Sequence, residues 1–548
     1  MRLAILVCLT GVALAQQPSV ILISIDTLRA DHLSGYGYKK LATPNIDAFA
    51  EHGSFFAAAD TQAPLTLPSH TSFLTSTYPF ENRIRENAEP VPAGAVTLAS
   101  VLKQHGYKTA AFIGSVFLEE RLGLNKGFET YDSPFDFRVF SPMSGEIFFG
   151  GAPVNPMNVR DARDGALVVA SAIRWLEGSH GAQPVFAFIH LFDMHLPYKH
   201  GYDAQLTYVD QLMGTLREAL VKGGWWDRSM VILLSDHGES LGDHGEASHG
   251  YFIYESTLHV PLLIHWPGGA MPLPARVDQP AALLDVAPTV LDFLHVPAPR
   301  VFTGRSLFDR APRPVVAEST HAFDAFGWSP LRSIRIGNYK YIDAPKPELY
   351  DLSADPGELT NLVARDPSRA QSMKASLAHV LAAHQPGHAA PAPALSPATR
   401  ALLTSNGYLA PGPKTAAPAG ADPKDKLPEF REYEDAQLAL YHGRPAEAAV
   451  ILRKILAADP GNSLARRDLG GIYLELKSYD HARAELEKVA AVAPDDYVTQ
   501  YQLGLILENQ KLYEQAAAHL QIACGIAPDS VPCRNELKAV QEKSPRRP

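Results

Sequence analysis

The stretch Ser19–Asp26 reads SVILISID, a nearly continuous apolar run that ends on a carboxylate. A short apolar run without polar alternation is typical of a parallel strand buried on both faces. The same character recurs in KTAAFIG (108–114), PVFAFIHLF (184–192) and SMVILLSD (229–236). Segments with helical spacing lie between these runs: TPNIDAFAEHG (43–53), VRDARDGALVVASAIRWLEG (159–178) and LTYVDQLMGTLREALVKGG (206–224). Strands that alternate with helices predict an α/β sandwich with a mostly parallel sheet for residues 18–384.

The composition is that of a globular protein. The chain has 548 residues, 46% of them hydrophobic and 9% aromatic, and a formal net charge of -10. Such values argue against wholesale disorder, and a mildly acidic chain gives no reason to expect nucleic acid as a partner. Beyond the N-terminus, no segment approaches the roughly 18 uncharged apolar residues that a membrane span needs. We therefore expect no membrane span.

The first residues, MRLAILVCLTGVALAQQ, have the layout of a signal peptide. Arg2 supplies a positive charge, Leu3–Leu14 is apolar, and Ala13-Leu14-Ala15 fits the rule for cleavage before Gln16. We expect residues 1–15 to be removed and the mature chain to be periplasmic or secreted. The alternative is a buried first strand or helix.

The C-terminal third has a different organisation. Residues 385–426 are rich in Ala and Pro, which predicts a semi-rigid linker. Within residues 427–545, Pro460, Pro494 and Pro528 follow one another at steps of 34 (494 − 460 and 528 − 494). This period resembles that of tetratricopeptide repeats, an all-α solenoid whose groove binds a protein or peptide partner.

Two cysteines lie in this repeat region, nine positions apart (533 − 524). An exported chain can form disulfides, so Cys524 and Cys533 could pair. They could equally be buried thiols on neighbouring helices.

Candidate site residues follow the predicted strands. In open α/β sheets, ligands bind beyond the carboxyl ends of the strands. Asp26 ends the first strand, although it could simply cap the next helix. In HLFDMHLPY (190–198), Asp193 and His195 are two residues apart, so an extended backbone would direct both side chains to one side.

The apolar run SMVILLSD leads into SDHGESLGDHGEASHG (235–250). It delivers Asp236 and His237 to the sheet edge, and Gly238 lets the backbone turn. Carboxylate and imidazole are ligands for zinc or manganese. A pH-sensitive loop and a solvated polar turn are the alternatives.

A potential nucleophile lies in TQAPLTLPSHTSFLTSTYP (61–79). Pro64 and Pro68 predict a turn that opens a helix near Ser69, with Thr66 just before its N-terminus. Backbone N–H groups at that end favour an anion, and a hydroxyl beside a divalent metal becomes a nucleophile. Taken alone, the segment is also a good helix cap.

Together these segments resemble the sulfatase family of the alkaline phosphatase superfamily. The match runs from residue 18 to about residue 362. Further segments that carry it are TLRADHLSGYGY (27–38), YESTLHVPLLIHWPG (254–268) and ELYDLSADPGELTNL (348–362). The resemblance implies an alkaline-phosphatase-like three-layer sandwich. It also implies an exported, metal-dependent hydrolase of phosphate, phosphonate or sulfate esters, including phosphodiesters.

The chain departs from the family pattern at the nucleophile. Sulfatases usually have Cys-x-Pro-x-Arg, with the cysteine oxidised to formylglycine, where this chain has Thr66-Leu67-Pro68-Ser69-His70. A family lysine is replaced by His249. We therefore predict no formylglycine and, by resemblance to two-metal members, two divalent ions, Zn or Mn, with Ca or Mg as alternatives. The implied ligands are Asp26, Thr66, Asp236 and His237 for one ion, and Asp193, His195 and His249 for the other, with His190 as an alternative to His195.

The implied mechanism is attack by Thr66 on phosphorus or sulfur, followed by hydrolysis of the ester formed on Thr66. His70 is expected to take part in catalysis. Arg85, Asn87 and His244 are expected to contact the substrate. Phosphorus esters are favoured, because a threonyl phosphate can be hydrolysed at phosphorus. The alternatives are a lipid-head-group phosphotransferase and an inactive scaffold.

Overall fold

The computed structural model describes residues 17–384 and 420–543, apart from 88, 136–146, 150–151, 155–161, 182, 197, 199, 442, 527 and 529. The predicted signal peptide (1–15) and most of the predicted linker (385–426) lie outside the described residues.

The first region alternates strands with helices, as the apolar pattern predicts. Its strands are β1 (Ser19–Ile25), β2 (Gly53–Phe56), β3 (Ala59–Asp60), β4 (Lys108–Phe112), β5 (Thr130–Asp132), β6 (Ile147–Phe149), β7 (Ala152–Val154), β8 (Val185–Leu191), β9 (Ser229–Leu234), β10 (His259–Val260), β11 (Leu262–His265), β12 (Arg276–Val277), β13 (Ala281–Ala282), β14 (Val315–Ser319), β15 (Leu331–Ile336), β16 (Tyr339–Asp343) and β17 (Glu348–Asp351). Its helices are α1 (Pro44–Asp47), α2 (Thr66–Thr75), α3 (Pro79–Asn82), α4 (Leu98–Gln104), α5 (Gly165–Glu177), α6 (Tyr202–Lys222), α7 (Glu255–Leu258), α8 (Val286–Phe293), α9 (His321–Phe326) and α10 (Pro367–Ala383).

The central sheet has the order β12-β2-β11-β9-β1-β8-β4-β5. Its middle strands, from β9 through β1 and β8 to β4 and β5, are parallel, and β11 runs antiparallel to both β9 and β2. A smaller antiparallel sheet has the order β14-β15-β16-β17. The predicted α/β sandwich with a mostly parallel sheet is therefore confirmed.

β1 lies at the centre of this sheet and is buried on both faces. Val20 and Leu22 belong to the hydrophobic core on one side, and Ile21 and Ile23 to the core on the other. Because successive side chains of a strand point to opposite faces, both faces of β1 need apolar residues. This explains the uninterrupted run in its sequence.

The second region is all-helical. Its helices are α11 (Leu427–Tyr441), α12 (Pro445–Ala458), α13 (Ser463–Glu475), α14 (Tyr479–Val492), α15 (Tyr497–Asn509), α16 (Tyr513–Ile526) and α17 (Val531–Lys543). The 34-residue period appears as close helix contacts. A Cβ atom on Gly470 would lie 2.5 Å from Leu486 Cγ, and one on Gly504 would lie 2.6 Å from Leu520 Cγ. The glycines let paired helices approach at equivalent places in successive repeats.

Cys524 and Cys533 are joined by a disulfide, with a Cα–Cα distance of 5.7 Å. The sequence allows either a disulfide or two buried thiols, and the structure shows the disulfide. Among the helices in the described ranges, none combines the length and the apolar composition needed to cross a bilayer.

Candidate active site

The carboxyl ends of β1, β8 and β9 lie side by side, because these strands are adjacent and parallel. Asp26 follows β1 directly, and its backbone N–H donates to the carbonyl of Leu191 at the end of β8 (2.9 Å). Asp236 and His237 follow β9 after a single serine. This topology brings together polar side chains that are far apart in the sequence.

Asp26, Asp236 and His237 form a candidate metal site. Each offers a ligand atom within 4.8 Å of the other two, and all three side chains are fully buried. His237 Nδ1 is hydrogen-bonded to the carbonyl of Gly238 (2.9 Å), which leaves a lone pair on Nε2. That nitrogen lies 3.4 Å from Asp236 Oδ2 and 3.8 Å from Asp26 Oδ1.

In the described part of the chain, these three facing atoms make no hydrogen bond. Buried polar atoms are almost always satisfied, so three acceptors that face one another need a cation or protons between them. The donor set of two carboxylates and one imidazole fits a divalent cation.

Burial and close mutual contact shift the pKa values of all three residues. Burial and then the charge of Asp26 raise the pKa of Asp236 well above its usual range. Burial alone would also raise the pKa of Asp26, but the hydrogen bond from His190 and the nearby His237 lower it below its usual value. Burial, with His249 nearby, lowers the pKa of His237 to about 3. His237 is thus neutral, the form that can bind a metal.

Thr66 is the first residue of α2, so this helix begins three residues earlier than the sequence predicts. Pro68 is compatible with that start, because backbone N–H groups in the first turn have no partner within the helix. The Thr66 hydroxyl is buried and makes no hydrogen bond within the described residues. One turn on, the Ser69 hydroxyl donates to the carbonyl of Asp236 (2.7 Å), which ties the start of α2 to the candidate metal site.

His70 is fully buried behind Thr66. Its Nδ1 is hydrogen-bonded to the Thr66 carbonyl (2.7 Å) and its Nε2 to the Ser24 hydroxyl (3.0 Å). Burial, and then the neighbouring His190, lower the pKa of His70 well below its usual value. With both ring nitrogens engaged, this neutral histidine joins the first turn of α2 to β1. The expectation that it takes part in catalysis stays a prediction.

The three residues expected to hold a second ion do not join the first group. Asp193 Oδ1 accepts a hydrogen bond from the N–H of Gly165 (3.0 Å), at the start of α5. The expected alignment of Asp193 with His195 required an extended chain. However, β8 ends at Leu191, and a turn follows in which the His195 N–H donates to the Phe192 carbonyl (3.1 Å).

His195 and His249 are neighbours in a different arrangement. Their rings lie 5.1 Å apart, and the His249 ring lies 4.4 Å from that of His237. His249 Nδ1 is hydrogen-bonded to Glu239 (3.1 Å), and His195 Nδ1 to the carbonyl of Leu196 (2.7 Å). Across the described ranges, Asp26, Asp236 and His237 are the group of three or more potential ligands that is close enough to share an ion.

His190, the alternative to His195, does contact this group. Its Nε2 is hydrogen-bonded to Asp26 Oδ2 (3.3 Å), and its ring lies 4.8 Å from that of His70. This contact occupies one oxygen of Asp26 and leaves the other facing His237.

The three expected substrate contacts have other partners. Arg85 Nε donates to Glu318 (2.8 Å), and the side-chain oxygen of Asn87 accepts the N–H of Leu67 in the first turn of α2 (2.9 Å). His244 stacks on Tyr254, with ring centres 3.6 Å apart. Asn87 thus supports the helix that carries Thr66, and the substrate role of all three stays a prediction.

Two residues beside the site were not among the predicted site residues. Glu239 is buried, contacts His249, and accepts a hydrogen bond from Tyr198 (2.9 Å). Burial raises the pKa of Glu239 to about 7. Its position two residues after His237 was a usable signal, whereas the approach of Tyr198 depends on the fold.

Comparison with known proteins supports a single family. The family model described as Sulfatase matches residues 18–296, just over half of the chain. A model for the C-terminal part of N-sulphoglucosamine sulphohydrolase matches residues 242–386. Two tetratricopeptide-repeat models match residues 439–503 and 479–531.

Individual relatives are distant but similar over most of their length. Arylsulfatase K of Rattus norvegicus is 23% identical over 448 residues, covering 67% of this chain and 78% of its own. Choline-sulfatase of Rhizobium meliloti is 25% identical over 432 residues, covering 63% and 82%.

Solved structures show the same fold. A 2-O GAG sulfatase has a TM-score of 0.54 at 18% identity, covering 67% of this chain and 92% of its own. The phosphonate monoester hydrolase of Agrobacterium radiobacter has a TM-score of 0.52 at 21% identity, covering 67% and 96%.

These matches correct the predicted cofactors. The departures from the family motif predict two divalent ions, Zn or Mn with Ca or Mg as alternatives, in place of the formylglycine that is usual in this family. This prediction is wrong, because the relatives include several arylsulfatases and give no ground for excluding formylglycine. The described residues also assemble one candidate ion site rather than two. The chain belongs to the sulfatase family of ester hydrolases and carries tetratricopeptide repeats after its sulfatase domain.

Proposed function

We propose that this protein hydrolyses sulfate or phosphonate esters at one divalent cation held by Asp26, Asp236 and His237. The observation that carries the proposal is the set of three buried acceptor atoms that face one another and have no hydrogen-bond partner among the described residues. Relatives named choline-sulfatase and phosphonate monoester hydrolase support the two ester classes. Because two of the three ligands are carboxylates, Ca²⁺ and Mg²⁺ are the first ions to test.

When bound, such an ion would polarise an oxygen of the ester and offset the negative charge that develops on it. The protein's own part is to hold the two carboxylates in place. The His190 ring is hydrogen-bonded to one oxygen of Asp26, and the backbone N–H groups of Thr27 and His237 donate to Asp236 Oδ1 (3.3 and 2.9 Å). These bonds leave Asp26 Oδ1 and Asp236 Oδ2 directed at the same space.

We propose Thr66 as the nucleophile. Its hydroxyl is buried and makes no hydrogen bond within the described residues, and it lies at the N-terminus of α2, where the helix dipole favours an anionic ester. Attack by Thr66 Oγ1 would form a threonyl ester and release the alcohol, and water would then hydrolyse that ester. A threonyl phosphonate can be hydrolysed at phosphorus, so we expect phosphorus esters to be better substrates than sulfate esters.

His249 is suited to contact the oxygens of the ester. Glu239 engages its Nδ1, which leaves Nε2 for a substrate, and Tyr198 holds Glu239 from the other side. The ring lies beside His237, so a contact from Nε2 would be made next to the proposed ion.

The test compares two isosteric substitutions in α2. Thr66→Val and Thr71→Val each remove a fully buried hydroxyl that makes no hydrogen bond among the described residues. Removing such a group is close to neutral for stability or stabilising. We expect Thr66→Val to lower kcat by at least about 10³-fold on nitrophenyl phosphonate and sulfate esters, with Thr71→Val near wild type.

Equal activity of the two variants would refute the assignment of Thr66 as the nucleophile. Mass spectrometry of the peptide that contains Thr66 should find a covalent ester on Thr66 when turnover is trapped. An oxidised residue in this segment would assign the chemistry to a formyl group instead.

We also propose that the protein is exported after cleavage before Gln16, on the strength of its N-terminal sequence. Cell fractionation with N-terminal sequencing of the mature protein tests this. Recovery of the uncleaved chain in the cytosol would refute it.

A further inference from the structure

We infer that the first helix of the repeat region, α11, is a positioning element of the active site. It contacts the segment Asp243–Tyr251, here called the site loop, which carries His249. The inference rests on the proposed function where it concerns catalysis, but its structural part can be tested separately.

One face of α11 makes these contacts. Leu427, Phe430, Arg431 and Glu434 are spaced i, i+3, i+4 and i+7, so they lie along a single side of the helix. The opposite side packs within the repeats, where Ala436 and Ala439 belong to the core shared with α12 and α13.

The contacts of this face reach the site loop at three points. Arg431 Nε donates to the carbonyl of Gly245 (2.9 Å), and the Ser248 hydroxyl donates to Glu434 (3.4 Å). Phe430 is buried against Tyr251, with ring centres 4.0 Å apart.

These points lie on both sides of His249. Ser248 precedes it and Tyr251 follows it by two residues, so α11 restrains the loop before and after the histidine. Glu246 accepts a hydrogen bond from the N–H of Tyr251 within the loop (2.8 Å) and another from the hydroxyl of Ser240 just before it (2.9 Å). The His249 ring, 4.4 Å from that of His237, is thus held in place by residues of two regions.

A shared hydrophobic cluster strengthens this junction. Phe430 forms a buried group with Tyr251, Ala322 and Trp328, and Leu427 packs against the core that contains Phe252 and Tyr254. The first repeat helix is therefore built into the sulfatase domain, and a partner that moves it would also move the site loop.

The test uses the full chain with Arg431→Ala combined with Glu434→Ala. Arg431 is exposed and Glu434 half-buried, so these changes keep the Phe430 packing and the fold. The matched control is Glu432→Ala on the same helix, where the carboxylate pairs with Lys454 of α12 instead (2.6 Å). Arg431→Lys, which keeps a donor for Gly245, is the conservative variant.

We expect the double variant to lower kcat by about tenfold with little change in KM. A misplaced His249 should reduce stabilisation of the transition state more than it reduces substrate binding. Arg431→Lys should recover part of the loss, and Glu432→Ala should match wild type. Hydrogen exchange of residues 243–251 should accelerate in the double variant while that of β9 stays unchanged.

Unchanged exchange of the site loop would overturn the inference, and so would faster exchange with unchanged kcat. If the wild-type protein turned over none of the esters, the proposed function would fail. Hydrogen exchange would still decide whether α11 orders the site loop.

Discussion

Replacing Asp236 with asparagine should have opposite effects on the ion-free and ion-bound protein. The asparagine oxygen can keep the hydrogen bonds that Asp236 Oδ1 accepts from the N–H groups of Thr27 and His237. Its amide group would replace Oδ2 and could donate to Asp26 Oδ1 and to the lone pair of His237 Nε2. Asp236→Asn therefore fills the candidate ion site with hydrogen bonds while removing one of its charges.

The separation of the two carboxylates sets the size of the expected stability change. The ligand oxygens of Asp26 and Asp236 lie within 4.8 Å of each other. At an effective dielectric constant of about 20, two like charges at that distance repel by about 3 kcal/mol. The ion-free variant should gain stability up to that order. An ion present at a concentration one hundred times its Kd would stabilise the wild-type protein by about 2.7 kcal/mol. The variant should lose this gain.

The gain of the variant should depend on pH. Burial and the charge of Asp26 raise the pKa of Asp236, so the ion-free folded protein binds this proton more tightly than the unfolded chain does. The contribution of this proton to stability is therefore fully present at low pH and is lost as pH rises through the folded pKa of Asp236. Asp236→Asn lacks this proton, so its advantage over the wild type should be small at acidic pH and grow as pH increases.

Thermal unfolding with EDTA, Ca²⁺ or Mg²⁺ across this pH range measures both effects, and calorimetric titration measures ion binding. Asp309→Asn, a half-exposed residue paired with Arg305, is the control and should respond to ions as the wild type does. An ion-free Asp236→Asn protein less stable than the wild type would refute the electrostatic reasoning. If Ca²⁺ or Mg²⁺ stabilised Asp236→Asn as much as Asp309→Asn, the proposed ion site would be refuted.

Three further outcomes are expected in the repeat region. Gly470→Ala should lower its stability by about 1–3 kcal/mol in urea unfolding, because the new methyl group would overlap Leu486; an unchanged midpoint would contradict this helix contact. Gly525→Ala, near the end of α16 with open space at the Cβ position, should instead raise stability by about 0.5–1 kcal/mol through helix propensity, and a loss would show an unrecognised contact. Reduction of the Cys524–Cys533 disulfide should cost about 2 kcal/mol, measured as a lower unfolding temperature of the repeats, and no difference between oxidised and reduced protein would contradict it.

The sequence pattern anticipated the adjacency of Asp26, Asp236 and His237, because all three directly follow apolar runs that form neighbouring parallel strands. It did not anticipate that Asp193 lies outside the group formed by Asp26, Asp236 and His237. The spacing of Asp193 and His195 implies a shared face only if the strand continues, and β8 ends before them. Asp193 instead accepts a hydrogen bond from the N–H of Gly165 at the start of α5, a contact between residues 28 positions apart that local spacing does not reveal.

Local sequence patterns were enough to predict the fold class, the repeat architecture and the family, since each rests on periodicity or on residues a few positions apart. Apolar runs without alternation specify strands buried on both faces, and a 34-residue period specifies stacked helix pairs. The composition of the candidate site depends on contacts that appear only in the folded chain: three potential metal ligands close together, the first turn of α2 bonded to His70 and Asn87, and the loop around His249 in contact with α11. These contacts join residues tens to hundreds of positions apart, and their energies depend on burial and mutual distance.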